Sequence, residues 1–354
     1  MKLHIFNPGH DLALASGLAN FTAPHAARLL AGSLGYLPLL WAGADDIVLV
    51  EDPRHLTQMP AKIRSMVALQ NLTSRIPSSV SSIEPWGWDA ALRAYLLRKG
   101  VSEHLLPTQA YVEEVRLLSH RREAARLLPC LRMEGTIGEA VECDDAGQVA
   151  HLLEGHDCLV LKAPWSSSGR GLRYLNQHHP HQHDGWLRNL LAAQGSVMVE
   201  PYYPKVKDFA MLFYSDGLGY VRYLGLSVFQ TKNGAYTGNL LATERRKEQI
   251  ISKYLTSDLL SCIRERLCDL LSATLGQRYE GPLGIDMMVV PSDSIGTNPA
   301  FLLHPCVEMN LRRTMGHVAL SLTRMVNPTD DDDVMRVMRI VYEGNNYKLK
   351  IQRL

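Results

Sequence analysis

The feature that most constrains this chain is the run Leu159-Val160-Leu161-Lys162-Ala163-Pro164-Trp165-Ser166-Ser167-Ser168-Gly169-Arg170-Gly171, an apolar strand that ends on one lysine and opens into a loop of small residues. Serines and glycines let backbone N–H groups come close to phosphate oxygens, and Lys162 and Arg170 place positive charge at either end of the loop. Such a segment suits the binding of a polyphosphate. It lacks the Gly-Lys-Ser/Thr ending of a Walker loop, because Gly171 is followed by Leu172.

Two later segments complete the pattern. Gly284-Ile285-Asp286-Met287-Met288-Val289-Val290 and Cys306-Val307-Glu308-Met309-Asn310-Leu311-Arg312 flank a turn-rich stretch, Ser292 to Asn298. Paired as an antiparallel hairpin, they set Asp286 opposite Glu308, with Asn310 on the same face. Two unit charges 4 Å apart repel by about 4 kcal/mol at an effective dielectric near 20. A cation therefore belongs between them, and two carboxylates with an amide oxygen suit Mg²⁺ or Mn²⁺ completed by phosphate oxygens.

In this order, Lys162 with its S-S-S-G-R-G loop, Val197-Met198-Val199-Glu200, Gly284-Ile285-Asp286 and Glu308-Met309-Asn310-Leu311-Arg312 resemble the ATP-grasp superfamily over about Ser119 to Met325. The resemblance implies an α/β (α+β) chain in which two ATP-grasp subdomains grip ATP, preceded by an N-terminal parallel α/β domain. It implies that Lys162 contacts the α- and β-phosphates and that Ser166, Ser167, Ser168, Gly169, Arg170 and Gly171 close over them. Glu200 would begin the adenine hinge and Asp208 would hold the ribose. Asp286, Glu308 and Asn310 would be the metal ligands, and Arg312 would face the transferred phosphoryl group, with Lys162 and Arg312 the catalytic cations. Lys162 and Glu308 would thus converge on one magnesium-bound triphosphate. Members of the family commonly carry a second lysine near Ser119-His120-Arg121-Arg122, where Arg121 or Arg122 would serve instead. Peptide-ligase members often have an arginine where Gly284 stands, so another cation, Arg222, Lys232 or Arg313, would take that role.

The implied activity is an ATP- and Mg²⁺-dependent ligase, joining a small carboxylate to an amine through an acyl phosphate. The alternatives are a small-molecule kinase of the same fold and a non-catalytic nucleotide-binding protein. A net charge of +1 argues against nucleic acid or an anionic membrane as partner. Small molecules are the expected partners, with a homo-oligomer open. Six cysteines without C-x-x-C spacing suit a reducing, cytoplasmic setting. The apolar start is interrupted at Asn7-Pro8-Gly9-His10-Asp11 before a leader could form.

Four segments are expected: an N-terminal α/β unit, 1–117; a small subdomain, 118–195; a large subdomain, 196–326; and a β-hairpin tail, 327–354. Strands at Lys2 to Phe6 and Ile47 to Glu51 alternate with helices at Pro24 to Ala31 and Asp89 to Lys99, the pattern of a parallel sheet. Ligands sit at the carboxyl ends of such strands, which makes Asn7, His10 and Asp11 substrate candidates, or a turn with Asp11 capping a helix. A helix over Ser119 to Leu128 should stop at Pro129. Strands at Gly219 to Leu224 and Leu226 to Gln230 should lead into a polar loop, Thr231 to Asn239, whose Lys232, Tyr236 and Asn239 are further substrate candidates, with Arg313. Glu244 to Leu275 reads as one long helical region. The cluster His178 to His183 and the acidic run Asp330 to Asp333 read as solvated surface, and Trp86-Gly87-Trp88 as packing.

Overall fold

The computed structural model describes residues 1–51, 59–166, 171–232, 235–292 and 300–354. The chain opens with β1 (Lys2–Ile5), α1 (His10–Ser16), α2 (His25–Leu34), β2 (Ile47–Leu49), α3 (Ala61–Arg64), β3 (Leu72–Thr73), β4 (Ser82–Pro85), α4 (Ala90–Arg98) and α5 (Gln109–Leu118). Its four strands form a parallel sheet in the order β3-β2-β1-β4, as the alternation requires. The strand β1 lies inside, with Leu3 and Ile5 buried, so its carboxyl end delivers residues 6–11 to the middle of the molecule.

Next come α6 (Arg121–Leu131), β5 (Val141–Cys143), α7 (Ala146–Glu154), β6 (Cys158–Lys162), β7 (Leu172–Asn176), α8 (Asp184–Gln194) and β8 (Val197–Pro201). The helix α6 runs two residues past Pro129, because Leu127, Leu128 and Leu131 all bury into the core beneath it. The four strands form an antiparallel sheet, β5-β8-β6-β7. Alternation decides its two faces: Leu159, Leu161, Val197 and Val199 pack with Leu153 of α7 and Leu187 of α8, which leaves Lys162 and Glu200 on the other face.

The remaining elements are β9 (Lys207–Asp216), β10 (Val221–Lys232), β11 (Ala235–Leu241), α9 (Glu244–Ile251), α10 (Ser257–Leu275), β12 (Glu280–Pro291), β13 (Phe301–Asn310), α11 (Met315–Val326), β14 (Arg336–Glu343) and β15 (Asn346–Arg353). The strands build one antiparallel sheet, β13-β12-β9-β10-β11-β14-β15, so the C-terminal hairpin extends the large sheet. Phe209, Met211, Phe213, Ile285, Met287 and Val289 face a stripe of α10, Leu260, Ile263, Leu267, Leu271 and Leu275. Each such fully buried side chain contributes about 1.5–3 kcal/mol.

Three expectations change here. The two strands anticipated on either side of Gly225 are one strand with a bulge; Gly225 has φ +149°, and a Cβ there would sit 3.2 Å from both Glu244 Oε2 and Leu320 Cδ2. The polar loop after Gln230 is instead the continuation of β10 and the start of β11, with only 233–234 outside the described residues. The long helical region is two helices, separated where Thr256 caps α10 by accepting from the Leu259 N–H at 3.2 Å. No described helix is long and apolar enough to cross a membrane.

Candidate active site

The cleft-facing side of the large sheet follows from its register. Asp286 pairs with Glu308 on β13 and with Ala210 on β9, and Ala210 pairs with Ser227 on β10. Met309 and Leu311 turn into the core, so Glu308 and Asn310 turn out with Asp286. These groups line one cavity of ≈ 470 Å³ with Asp11, Arg312 and the N-terminus of α11. Thr314 caps that helix, in a capping box with His317.

The acidic pair is incompletely compensated. Glu308 accepts from Arg121 Nη2 at 2.8 Å, whereas among the described residues Asp286 accepts only a neutral amide bond, from Asn310 Nδ2 at 3.2 Å. Desolvation first and the Glu308 charge second push the Asp286 carboxyl up to about 7, against the pull of Arg312. Arg312 is committed elsewhere. Its Nε and Nη2 grip both oxygens of Asp11, at 2.6 and 2.8 Å, and Nη2 also donates to Asn310 Oδ1 at 2.8 Å. Burial alone would raise the Asp11 carboxyl, but the Arg312 charge and hydrogen bonds outweigh it and hold it below its ordinary range. Asp11 is therefore the partner of Arg312 across the molecule, and α1 has no side-chain cap.

Across the cleft, Lys162 and Glu200 form a closed ion pair at 2.5 Å, both nearly buried. Lys162 is turned onto Glu200, and Ser166 lines the Glu308 cavity on this side. The two pairs meet around Cys306, whose thiol is pushed up by burial and then by the fields of Asp286, Glu200 and, further down the order, Glu308, while Lys162 opposes them. Arg121 spans the gap: Nη1 donates to Ala163 O at 2.5 Å and to Ser166 Oγ at 2.7 Å, and Nη2 reaches Glu308. Arg122 instead faces His120 and Glu142. Ser167, Ser168, Gly169 and Arg170 lie outside the described residues; Gly171 follows Ser166 closely enough that a Cβ on it would lie 2.5 Å from Ser166 Oγ.

The other candidates divide. Asp208, at the end of the same sheet, accepts from Thr231 Oγ1 at 2.7 Å and pairs with Lys205 at 2.6 Å. Tyr236 lines the Glu308 cavity and donates to Asn239 Oδ1 at 2.5 Å. Arg313 leaves the cleft: it stacks on Trp41, 4.6 Å from the ring centroid, and faces Glu84 at 3.6 Å. Exposed Arg222 stacks on Tyr214. Neither replaces the arginine missing at Gly284, and the Lys232 side chain is outside the described set. Among the described residues, no three His, Cys, Asp or Glu side chains form a metal cluster.

Sequence reasoning missed Asp89. Its carboxylate caps α4 through the Leu92 N–H at 2.8 Å, and its other oxygen sits 3.2 Å from His10 Nδ1 and accepts from Asn7 Nδ2 at 3.1 Å. His10 is 1% exposed, and its Nε2 has no hydrogen-bond partner among the described residues. The ring lies over Gly87, where a Cβ would come within 2.7 Å of Nε2. It borders a cavity of ≈ 20 Å³ with Ser166, Glu308 and Asn310. The capping pattern Asp89-Ala90-Ala91-Leu92 was visible in the sequence; its reach back to His10 was not.

No family model matches this sequence, and no curated protein matches it. Solved structures do. The biotin carboxylase domain of 2-oxoglutarate carboxylase from Hydrogenobacter thermophilus, in complex with MgADP, ADP and bicarbonate, matches with a TM-score of 0.51 and 14% identity, over 75% of this chain and 59% of that one. N5-carboxyaminoimidazole synthetase from Staphylococcus aureus, complexed with ADP, has a TM-score of 0.50 and 12% identity, over 97% and 83%. Phosphoribosylamine–glycine ligase from Thermotoga maritima has a TM-score of 0.51 and 12% identity, over 96% and 80%. The chain has the ATP-grasp fold.

Proposed function

We propose that this chain is an ATP- and Mg²⁺-dependent ligase that activates a carboxylate as an acyl phosphate and transfers the acyl group to an amine or another nucleophile. The fold shared with two ligases and a carboxylase, two of them complexed with ADP, supports the general kind of activity. The observation that carries the reading is the Asp286-Glu308 pair, two carboxylates opposite each other in register, with burial first and the Glu308 charge second pushing Asp286 up to about 7. Asp286, Glu308 and Asn310 supply the hard oxygen donors that suit Mg²⁺, and phosphate oxygens would complete its shell. When bound, the ion neutralises charge on the triphosphate during transfer.

The chain's own residues orient and stabilise. Arg121 and the loop from Ser166 to Gly171 hold the phosphates, with Lys162 and Glu200 behind them and Asp208 for the ribose. Arg312, fixed by Asp11, Asn310 and Arg313 O, would offer its remaining Nη1 hydrogen to charge on the transferred group or the carboxylate, so little reorganisation accompanies reaction. His10 takes the proton of the attacking nucleophile on Nε2, while Asp89 on Nδ1 fixes the tautomer. A bound nucleophile would enter from the small cavity between His10 and Glu308.

The test is ADP release against a panel of carboxylates, with hydroxylamine as nucleophile and Asp286→Asn as blank. Hydroxylamine traps an acyl phosphate as a hydroxamate and expels phosphate. The reading expects carboxylate-dependent ADP release with hydroxamate formed in step, and neither from the variant; ADP release with a stable phosphorylated product would mark a kinase.

A further inference from the structure

The cavity that holds Asp286 and Glu308 is two-sided. All four of its charged lining residues gather at one end, through Asp11 to Arg312, Arg312 to Asn310, Asn310 to Asp286 and the Asp286-Glu308 pair. The opposite end is lined by Leu12, Ala27, Leu30, Phe229, Ile340 and Tyr347. These six are only partly buried, unlike the fully packed cores on either side. They come from α1, α2, β10 and the β14-β15 hairpin, and the Tyr347 N–H donates to Ser33 Oγ at 3.2 Å, tying the hairpin to α2.

Polar atoms at this end are already satisfied by one another. Tyr236 donates to Asn239, and Asn239 Nδ2 donates to Ser227 Oγ at 2.7 Å. A ligand reaching past Arg312 thus meets, among the described residues, apolar surface with few polar groups free to bind. Triphosphate has no use for such a wall. The volume, ≈ 470 Å³, is that of a small-molecule site.

We infer that the carboxylate activated here carries a bulky aliphatic or aromatic group, which packs between α2 and the C-terminal hairpin while its carboxylate lies at Arg312. The inference rests on the ligase reading and deepens it. Small hydrophilic carboxylates such as glycine or aspartate would leave the apolar end filled with poorly bonded water. Each added methylene that fits should favour a substrate by roughly 10–200-fold.

The experiment compares glycine, aspartate, leucine, phenylalanine, hexanoate and 3-phenylpropionate in the ADP-release assay with hydroxylamine, alongside their binding to the Mg·ADP complex by calorimetry. The bulky carboxylates should exceed glycine and aspartate at least tenfold in kcat/KM or affinity. Ala27→Trp, which fills the apolar end, should remove that advantage, and its Mg·ADP binding reports that the variant has folded. Mg·ADP binding by the parent protein with no bulky carboxylate ahead overturns this inference alone. Absence of any Mg·ADP binding overturns the ligase reading and this inference together. The parent panel decides the matter even if the variant does not fold.

Discussion

Two charged pairs, one on each antiparallel sheet, answer burial in opposite ways. Lys162 and Glu200 neutralise each other at 2.5 Å on the small sheet. Asp286 and Glu308 on the large sheet share a like charge, and one of them is pushed up to about 7. Both sites come from the same rule, alternation along antiparallel strands with the even positions turned to the cleft. The difference lies in which residues the register brings opposite. A buried pair of opposite charges satisfies itself, whereas a like-charged pair keeps a repulsion that a bound cation would relieve.

The largest effect expected is on the closed pair. Lys162→Met strands a buried carboxylate and should cost about 3–5 kcal/mol of stability by denaturant unfolding, with much of it recovered in Lys162→Met/Glu200→Leu. A loss below about 1 kcal/mol would show that Lys162 is free to serve a ligand instead. The open pair should behave oppositely. Asp286→Asn should cost about 10²–10³-fold in ADP release while the fold is retained, since a group that positions transition-state charge is removed. His10→Gln should lower kcat by about 10²-fold with KM for Mg·ATP little changed. An unchanged kcat would assign His10 to packing over Gly87.

Stability against pH gives a smaller and sharper contrast. The Asp286 carboxyl is raised in the folded protein above its ordinary 3.8, so the folded state binds more protons between the two values. The penalty is then full above about pH 7 and fades as pH falls toward 4. In Mg²⁺-free buffer, Asp286→Asn should be more stable than the parent at pH 8 and equal to it near pH 4. Added Mg·ADP should stabilise the parent and not the variant. The smallest effect belongs to Arg222→Ala, outside the cleft, which should stay within about 0.5 kcal/mol and leave turnover intact.

Much of this was legible in the sequence wherever period and local chemistry decide. The strand pair around Ser292 to Asn298 set the Asp286-Glu308 register, and the β-α alternation near the N-terminus set a parallel sheet. Illegible were the choices between distant partners. Nothing local tells that Asp11 will bind Arg312, 301 residues away, or that Asp89 will hold His10. Arg313 shows the same limit: one residue from Arg312, it points to the opposite side because its N–H donates to Trp86 O and its side chain lies on Trp41. Glycine misled at Gly225, where a bulge with positive φ continues a strand that looks broken. Proline misled at Pro129, where three buried leucines outweigh the missing N–H.

The central claim is that the two facing regions serve one magnesium-bound nucleotide. Calorimetric titration of ADP into the parent protein, Asp286→Asn and Arg121→Ala, each with and without Mg²⁺, tests it most directly. The account predicts Mg²⁺-dependent binding in the parent, weakened at least tenfold in both variants, Asp286 on the large sheet and Arg121 on the helix that links Glu308 to Ser166. Parent-like affinity in Asp286→Asn, or binding indifferent to Mg²⁺, would contradict it.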